Sequence, residues 1–185
     1  GNVELNYSPH VLSINICIQP NLDTRKKQLD AWCSLILNYH RQNKQYTLDV
    51  TEALVSPIFY NKAINRKLSE DAAHIVLEEL RKRGNVEWTD KSRKQCLVMW
   101  RTPEEWGKLI YQWVSNNGMV NTVCTLYELA HGDDTDSQGK KNRQTIEEFH
   151  GLEDWLLKRA LETLEQKHKA EIISYDGSEG VKFFS

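Results

Sequence analysis

The chain has 185 residues, 39% hydrophobic and 27% charged, with a net charge of -2. That suits one large domain or two small ones. It gives no long-range field for nucleic acid or an anionic membrane, and no apolar run approaches the ~18 residues of a membrane span. Residues 1–20 read as an arm. They carry an apolar patch but no basic leader or small-residue cleavage site, so a signal peptide is not expected. Ile14, Ile16 and Ile18 alternate with Asn15 and Cys17 in a strand-like pattern that Pro20 ends.

Asp23 or Thr24 opens a helix through about His40, with Leu29, Trp32, Cys33, Ile36 and Leu37 on one stripe. Residues 46–50 are extended, 51–55 suit one helical turn, and 59–66 are predicted as a short helix. Ser69, followed by Glu70 and Asp71, caps the next helix. It ends in Arg81, Lys82 and Arg83, with Gly84 suited to a left-handed cap. Residues 85–90 and 95–100 then pair as a hairpin around 90–94. This order predicts a winged helix, a helix-turn-helix with a β wing.

The pattern then repeats. Thr102-Pro103-Glu104-Glu105 starts a helix, and Trp106, Leu109, Ile110, Trp113 and Val114 form its apolar stripe. Asn116-Asn117-Gly118 stops it. Residues 122–125 read as a short strand and 126–130 as the second helix. Residues 131–151 are polar without apolar period, and read as a loop. The third helix uses Leu152, Trp155, Leu156, Ala160, Leu161 and Leu164, before a hairpin around Gly177–Gly180. Leu77, Glu78, Leu80 and Glu87 return 84 positions later as Leu161, Glu162, Leu164 and Glu171. Earlier, Leu48 matches Val123 and Leu54 matches Leu129, at an offset of 75. The fold class is therefore α+β, mainly α: two tandem winged helices at 21–100 and 101–185, almost without linker.

A DNA reader presents basic and amide side chains on its third helix. Here that helix exposes Glu70, Asp71, Glu78 and Glu79 in the first copy, and mixed charges in the second. Arg81, Lys82 and Arg83 complement a helix dipole. Catalysis is not expected. Six histidines and four cysteines form no metal-spaced cluster, and no phosphate-binding or nucleophile motif occurs. Glu147, Glu148 and His150 read as an exposed loop trio. Cys17, Cys33, Cys96 and Cys124 read as free thiols, and the six tryptophans as mostly core. No catalytic residue, metal or cofactor is predicted. A protein-interaction scaffold is the remaining reading, with a nucleic-acid-binding protein of the transcription type as the alternative.

Residues 23–37 (DTRKKQLDAWCSLIL), 75–88 (IVLEELRKRGNVEW), 101–115 (RTPEEWGKLIYQWVS), 125–129, 147–152, 168–172 and 180–184 resemble the small-subunit family of the ESCRT-II complex, from about Gln19 to Phe184. The resemblance implies a non-enzymatic cytosolic adaptor, recruited peripherally to endosome membranes and contacting them only indirectly. It would take no cofactor and no small-molecule substrate. Its first winged helix and arm would dock on two larger ESCRT-II subunits, and its second would bind the basic first helix of an ESCRT-III nucleating subunit. The work would be sorting ubiquitinated cargo into multivesicular endosomes. The family's Pro-Pro-aromatic arm is missing here, where Pro9 stands alone. Ile16, Ile18, Arg81, Lys82 and Arg83 are the candidates for the ESCRT-II side. Glu128, Asp133, Asp134, Asp136, Glu147 and Glu148 are those for the ESCRT-III side, where acids would steer a basic partner.

Overall fold

In a computed structural model the described residues are 22–61, 66–131 and 149–185. The chain divides into two compact units, Gly1–Trp100 and Arg101–Ser185.

The first unit runs α1 (Leu22–Asn43), β1 (Thr47–Asp49), α2 (Val50–Leu54), β2 (Tyr60–Asn61), β3 (Arg66–Lys67), α3 (Glu70–Lys82), β4 (Val86–Trp88) and β5 (Gln95–Val98). Helix α3 begins where Ser69 accepts a hydrogen bond from the Ala72 amide, and two acids occupy its first turn. It stops at Arg83, followed by Gly84 at φ 84°. Its buried Ala72, Ala73, Val76, Leu77 and Leu80 recur at helical spacing and meet Cys33 and Ile36 of α1. Burying one such leucine contributes about 2 kcal/mol. The strands pair antiparallel in the order β1-β5-β4, turning Leu48, Cys96, Val98 and Val86 into the same core. The buried Asn85 closes the base of the hairpin: its side chain donates to the Met99 carbonyl at 2.8 Å, and its own carbonyl accepts from the Met99 amide at 2.7 Å.

The described ends of the stretch expected as a helix at 59–66 are strands instead. Tyr60 pairs with Lys67 and Asn61 with Arg66. Phe59 and Leu68 both enter the core, joined by a 2.8 Å backbone bond. A helix would hold them about 13 Å apart, so the chain doubles back instead.

The second unit runs α4 (Pro103–Asn116), β6 (Val123–Thr125), α5 (Leu126–His131), α6 (Asp154–Gln166), β7 (Ala170–Tyr175) and β8 (Ser178–Phe183). Thr102 and Glu105 form a reciprocal capping box at the start of α4. Trp106, Ile110 and Val114 of α4 and Leu156, Leu157, Ala160, Leu161 and Leu164 of α6 are buried. Gly107 lets these helices approach: a Cβ there would lie 2.6 Å from Thr163 Oγ1 and 2.9 Å from the Ala160 carbonyl. The sheet order is β6-β8-β7, all antiparallel. The last hairpin turns tightly on Asp176 and Gly177, both at positive φ. Gly180 is a strand residue rather than part of the turn. On β7 the Ile172 amide donates to the Glu165 carboxylate at 2.8 Å.

Two further expectations change. Phe149, in the stretch expected to be polar loop, is fully buried and meets Trp113 edge-on with ring centroids 5.6 Å apart. The early repeat offset is 76 rather than 75. Leu48 and Cys124 are the buried middle residues of β1 and β6, and Val123 is 61% exposed. One step along, Asp49 and Thr125 cap the following helices through the amides of Glu52 and Glu128. Leu129 thus corresponds to Ala53, both buried.

Candidate functional site

The first candidate set lies at the end of α3, whose C-terminal dipole favours cations. Arg81, Lys82 and Arg83 are all exposed there. Arg81 pairs with Glu78 at 2.7 Å, and Arg83 bonds Asp30 of α1 and, at 3.1 Å, Glu79. The Arg81 guanidinium, with the Trp88 indole, holds the Glu78 carboxyl down at about 2. Arg83 therefore ties the end of α3 to α1, whereas Arg81 pairs within α3, and both keep their outer surfaces in water. Ile16 and Ile18 lie outside the described residues. On the same helix Glu70, Asp71, Glu78 and Glu79 keep at least part of their surface accessible, so acids stand where a DNA reader carries donors to phosphates and bases.

Of the second set only Glu128 falls among the described residues. Asp133, Asp134, Asp136, Glu147 and Glu148 lie outside the described residues. Glu128 is exposed, and its carboxylate accepts from the Thr125 amide at 3.3 Å, returning the bond that caps α5. Of the loop trio only His150 is described; it is half-buried against the Phe149 ring.

Cys33, Cys96 and Cys124 are buried free thiols; Cys17 lies outside the described residues. Burial pushes Cys33 up to about 11 and Cys96 to about 12, and raises Cys124. These thiols are poor nucleophiles at neutral pH. Among the described residues no group of three His, Cys, Asp or Glu side chains could hold a metal, and no helix is long and apolar enough to cross a membrane. Of the tryptophans only Trp106 is fully buried; the other five are half-buried.

Sequence reading missed two features. One is His40, fully buried in α1, whose ring nitrogens have no hydrogen-bond partner among the described residues. The other is the exposed apolar group of Val123, Tyr127 and Tyr175 on the second unit. The alternation of β6, β7 and β8 could have found the strand members once their register was known.

The chain belongs to the ESCRT-II complex subunit family, whose model matches residues 16–153. Within it, the chain is similar to the vacuolar protein-sorting-associated protein 25 of Danio rerio, at 64% identity over 167 residues, covering 90% of this chain and 91% of that protein. Its Homo sapiens counterpart is 56% identical, over 90% of each chain. A chain in the crystal structure of endosomal complex ESCRT-II (VPS22/VPS25/VPS36) shares the fold at a TM-score of 0.66 and 24% identity, over 95% of this chain and 98% of that one.

Proposed function

We propose that this protein is a non-enzymatic adaptor subunit of an ESCRT-II complex, acting in endosomal sorting of ubiquitinated cargo into multivesicular bodies. The observation that carries the reading is the 64% identity to a vacuolar protein-sorting-associated protein 25 across nine-tenths of both chains. Each unit is read as a winged helix. The support is a shared order: a long helix, a short strand, a short helix, a third helix and a hairpin whose second strand lies centrally. Residues 1–20 form a docking arm, 21–100 the first winged helix, and 101–185 the second with a loop near 131–150.

The first winged helix docks on the two larger ESCRT-II subunits, corresponding to VPS22 and VPS36 of the similar complex. Ile16, Ile18 and the exposed end of α3 form that contact. The second recruits an ESCRT-III subunit through its basic first helix, with acids supplying the steering. The protein works in the cytoplasm and reaches endosome membranes peripherally, through its partners.

The test is a pull-down of the full chain with the two larger subunits, beside a version whose residues 8–18 carry a Pro-Pro-Phe-Phe arm. Both are expected to assemble. Assembly of the replaced version alone would deny the docking role to this arm, and failure of both would remove the adaptor reading. Asp133→Lys with Glu148→Lys is expected to weaken ESCRT-III binding in a titration without unfolding the chain; unchanged affinity removes the acidic loop from the contact.

A further inference from the structure

The imidazole of His40 is more than folding asks for at its place. The ring is fully buried, and neither nitrogen has a hydrogen-bond partner among the described residues. Burying a polar group unpaired is costly. Val114, which closes α4 as His40 closes α1, is equally buried and brings no such cost.

His40 is one wall of a cavity of about 90 Å³, where the end of α1 meets β1 and α2. Buried Leu48, Ala53 and Ile58 give the cavity an apolar floor, and exposed Glu52 stands at its rim. Ser56 fixes the loop on one side. Its hydroxyl donates to the Ala53 carbonyl at 2.8 Å and accepts from the Ile58 amide at 3.3 Å. The room depends on a small residue, since the counterpart of Ala53 in the second unit is Leu129, 1% exposed. The same topology therefore folds with leucine and valine at these two places, and folding alone calls for neither alanine nor imidazole.

The charges around the cavity say what fits. The Glu52 amide, at 3.0 Å, and the Gln95 side chain hold the Asp49 carboxyl below the ordinary carboxylate range. The Glu52 carboxylate has no side-chain partner among the described residues. Burial keeps His40 neutral, with its pKa down at about 4, so one ring nitrogen is an acceptor. An anion would meet two carboxylates. A purely apolar group would leave the ring unpaired. A cation with N–H donors on an aliphatic stem suits floor, acceptors and charge together. Asp49 already engages two donors, which leaves it no open side for a guanidinium fork. A compact ammonium needs only single acceptors from several directions.

We propose that this cavity is a binding site for a primary alkylammonium group, with its stem on Leu48, Ala53 and Ile58, its charge toward Glu52 and Asp49, and His40 beneath as the inner acceptor. A lysine of a partner protein and a free polyamine both carry that chemistry. The place and the chemistry stand apart from the adaptor reading.

The probes are N-acetyl-lysine methylamide, its norleucine analogue and putrescine, each titrated into the full isotope-labelled chain. The lysine probe is expected to shift the amides of Ala53 and Ser56 and the ring nitrogens of His40, and to bind about tenfold more tightly than the norleucine probe. Putrescine equal to the lysine probe would extend the site to free amines, and putrescine about tenfold weaker would reserve it for protein lysines. Ala53→Leu, which copies the second unit, is expected to weaken binding about tenfold or more. Glu52→Gln is expected to weaken it about threefold and to remove most of its salt dependence. Equal binding of the lysine and norleucine probes overturns the proposal, as do shifts confined to other positions and undiminished binding to Ala53→Leu. Should Ala53→Leu not fold, His40→Val decides: binding is expected to fall about threefold or more, and unchanged binding overturns the proposal.

Discussion

The last turn of the first helix is built alike in the two units and filled differently. In α1 the Gln45 amide returns to the His40 carbonyl at 3.0 Å, and in α4 the Met119 amide returns to the Val114 carbonyl at 2.9 Å. Lys44 and Gly118 hold the left-handed position that permits each closure. Both side chains at the closing residue are 0% exposed. One unit thus buries a valine where the other buries an imidazole, and the position asks for volume and neutrality rather than for one chemistry. Neutrality is what the imidazole must supply, since burial lowers the His40 pKa to about 4 from 6.5.

Acid is the strongest way to break this equivalence. Between pH 6.5 and about 4 an unfolded chain binds a proton at residue 40 that the folded chain refuses. Stability is therefore lost as pH falls through that window, by up to about 3 kcal/mol. His40→Val, which copies the second unit, is expected to raise the urea midpoint more at pH 5 than at pH 7. An equal shift at both pH values would show that the imidazole is not neutral in the fold.

The opposite exchange comes next. Gly107 stands where the first unit has Cys33, by the same alignment. Gly107→Cys drives a Cβ into the Ala160 carbonyl and is expected to cost about 1–3 kcal/mol in urea unfolding. An unchanged midpoint would mean that α4 and α6 can separate freely. The smallest effect is at the start of the third helix. Ser69 caps α3, whereas Glu153 makes no side-chain cap bond to α6. Ser69→Ala is expected to cost about 1 kcal/mol and Glu153→Ser to add a smaller amount. Equal and opposite changes would sharpen the kinship of the two junctions, and no change at Glu153 would show that the Trp155 indole it accepts from matters as much as a cap.

What could be read in advance was local. Ser69, Gly84, Pro103 and the Asn117-Gly118 stop each act through neighbours in sequence, and each lies at or beside the predicted boundary. The β2–β3 pair was hidden because Phe59 and Leu68 are brought together by the core and not by nearby residues. Phe149 was hidden by polar neighbours that give no period. The candidate basic set was visible as charge, but the partners of Arg83 include Asp30, 53 positions away. The exposed apolar group of the second unit was the least legible of all. Val123 and Tyr175 share a sheet face only after a register is fixed, and a slip of one residue would send each to the opposite side.

The Glu165 carboxylate on the Ile172 amide has a consequence for self-association. Ile172 points its N–H away from β8, because the Phe184 amide bonds Lys169 and the bonded pairs then fall on alternate residues. That N–H is one of those to which another copy's strand would pair. The helix before the strand already holds it, so a neighbouring chain must evict a charged side chain before it can add a fourth strand. The β7 edge of the sheet carries its own stopper against a strand added there.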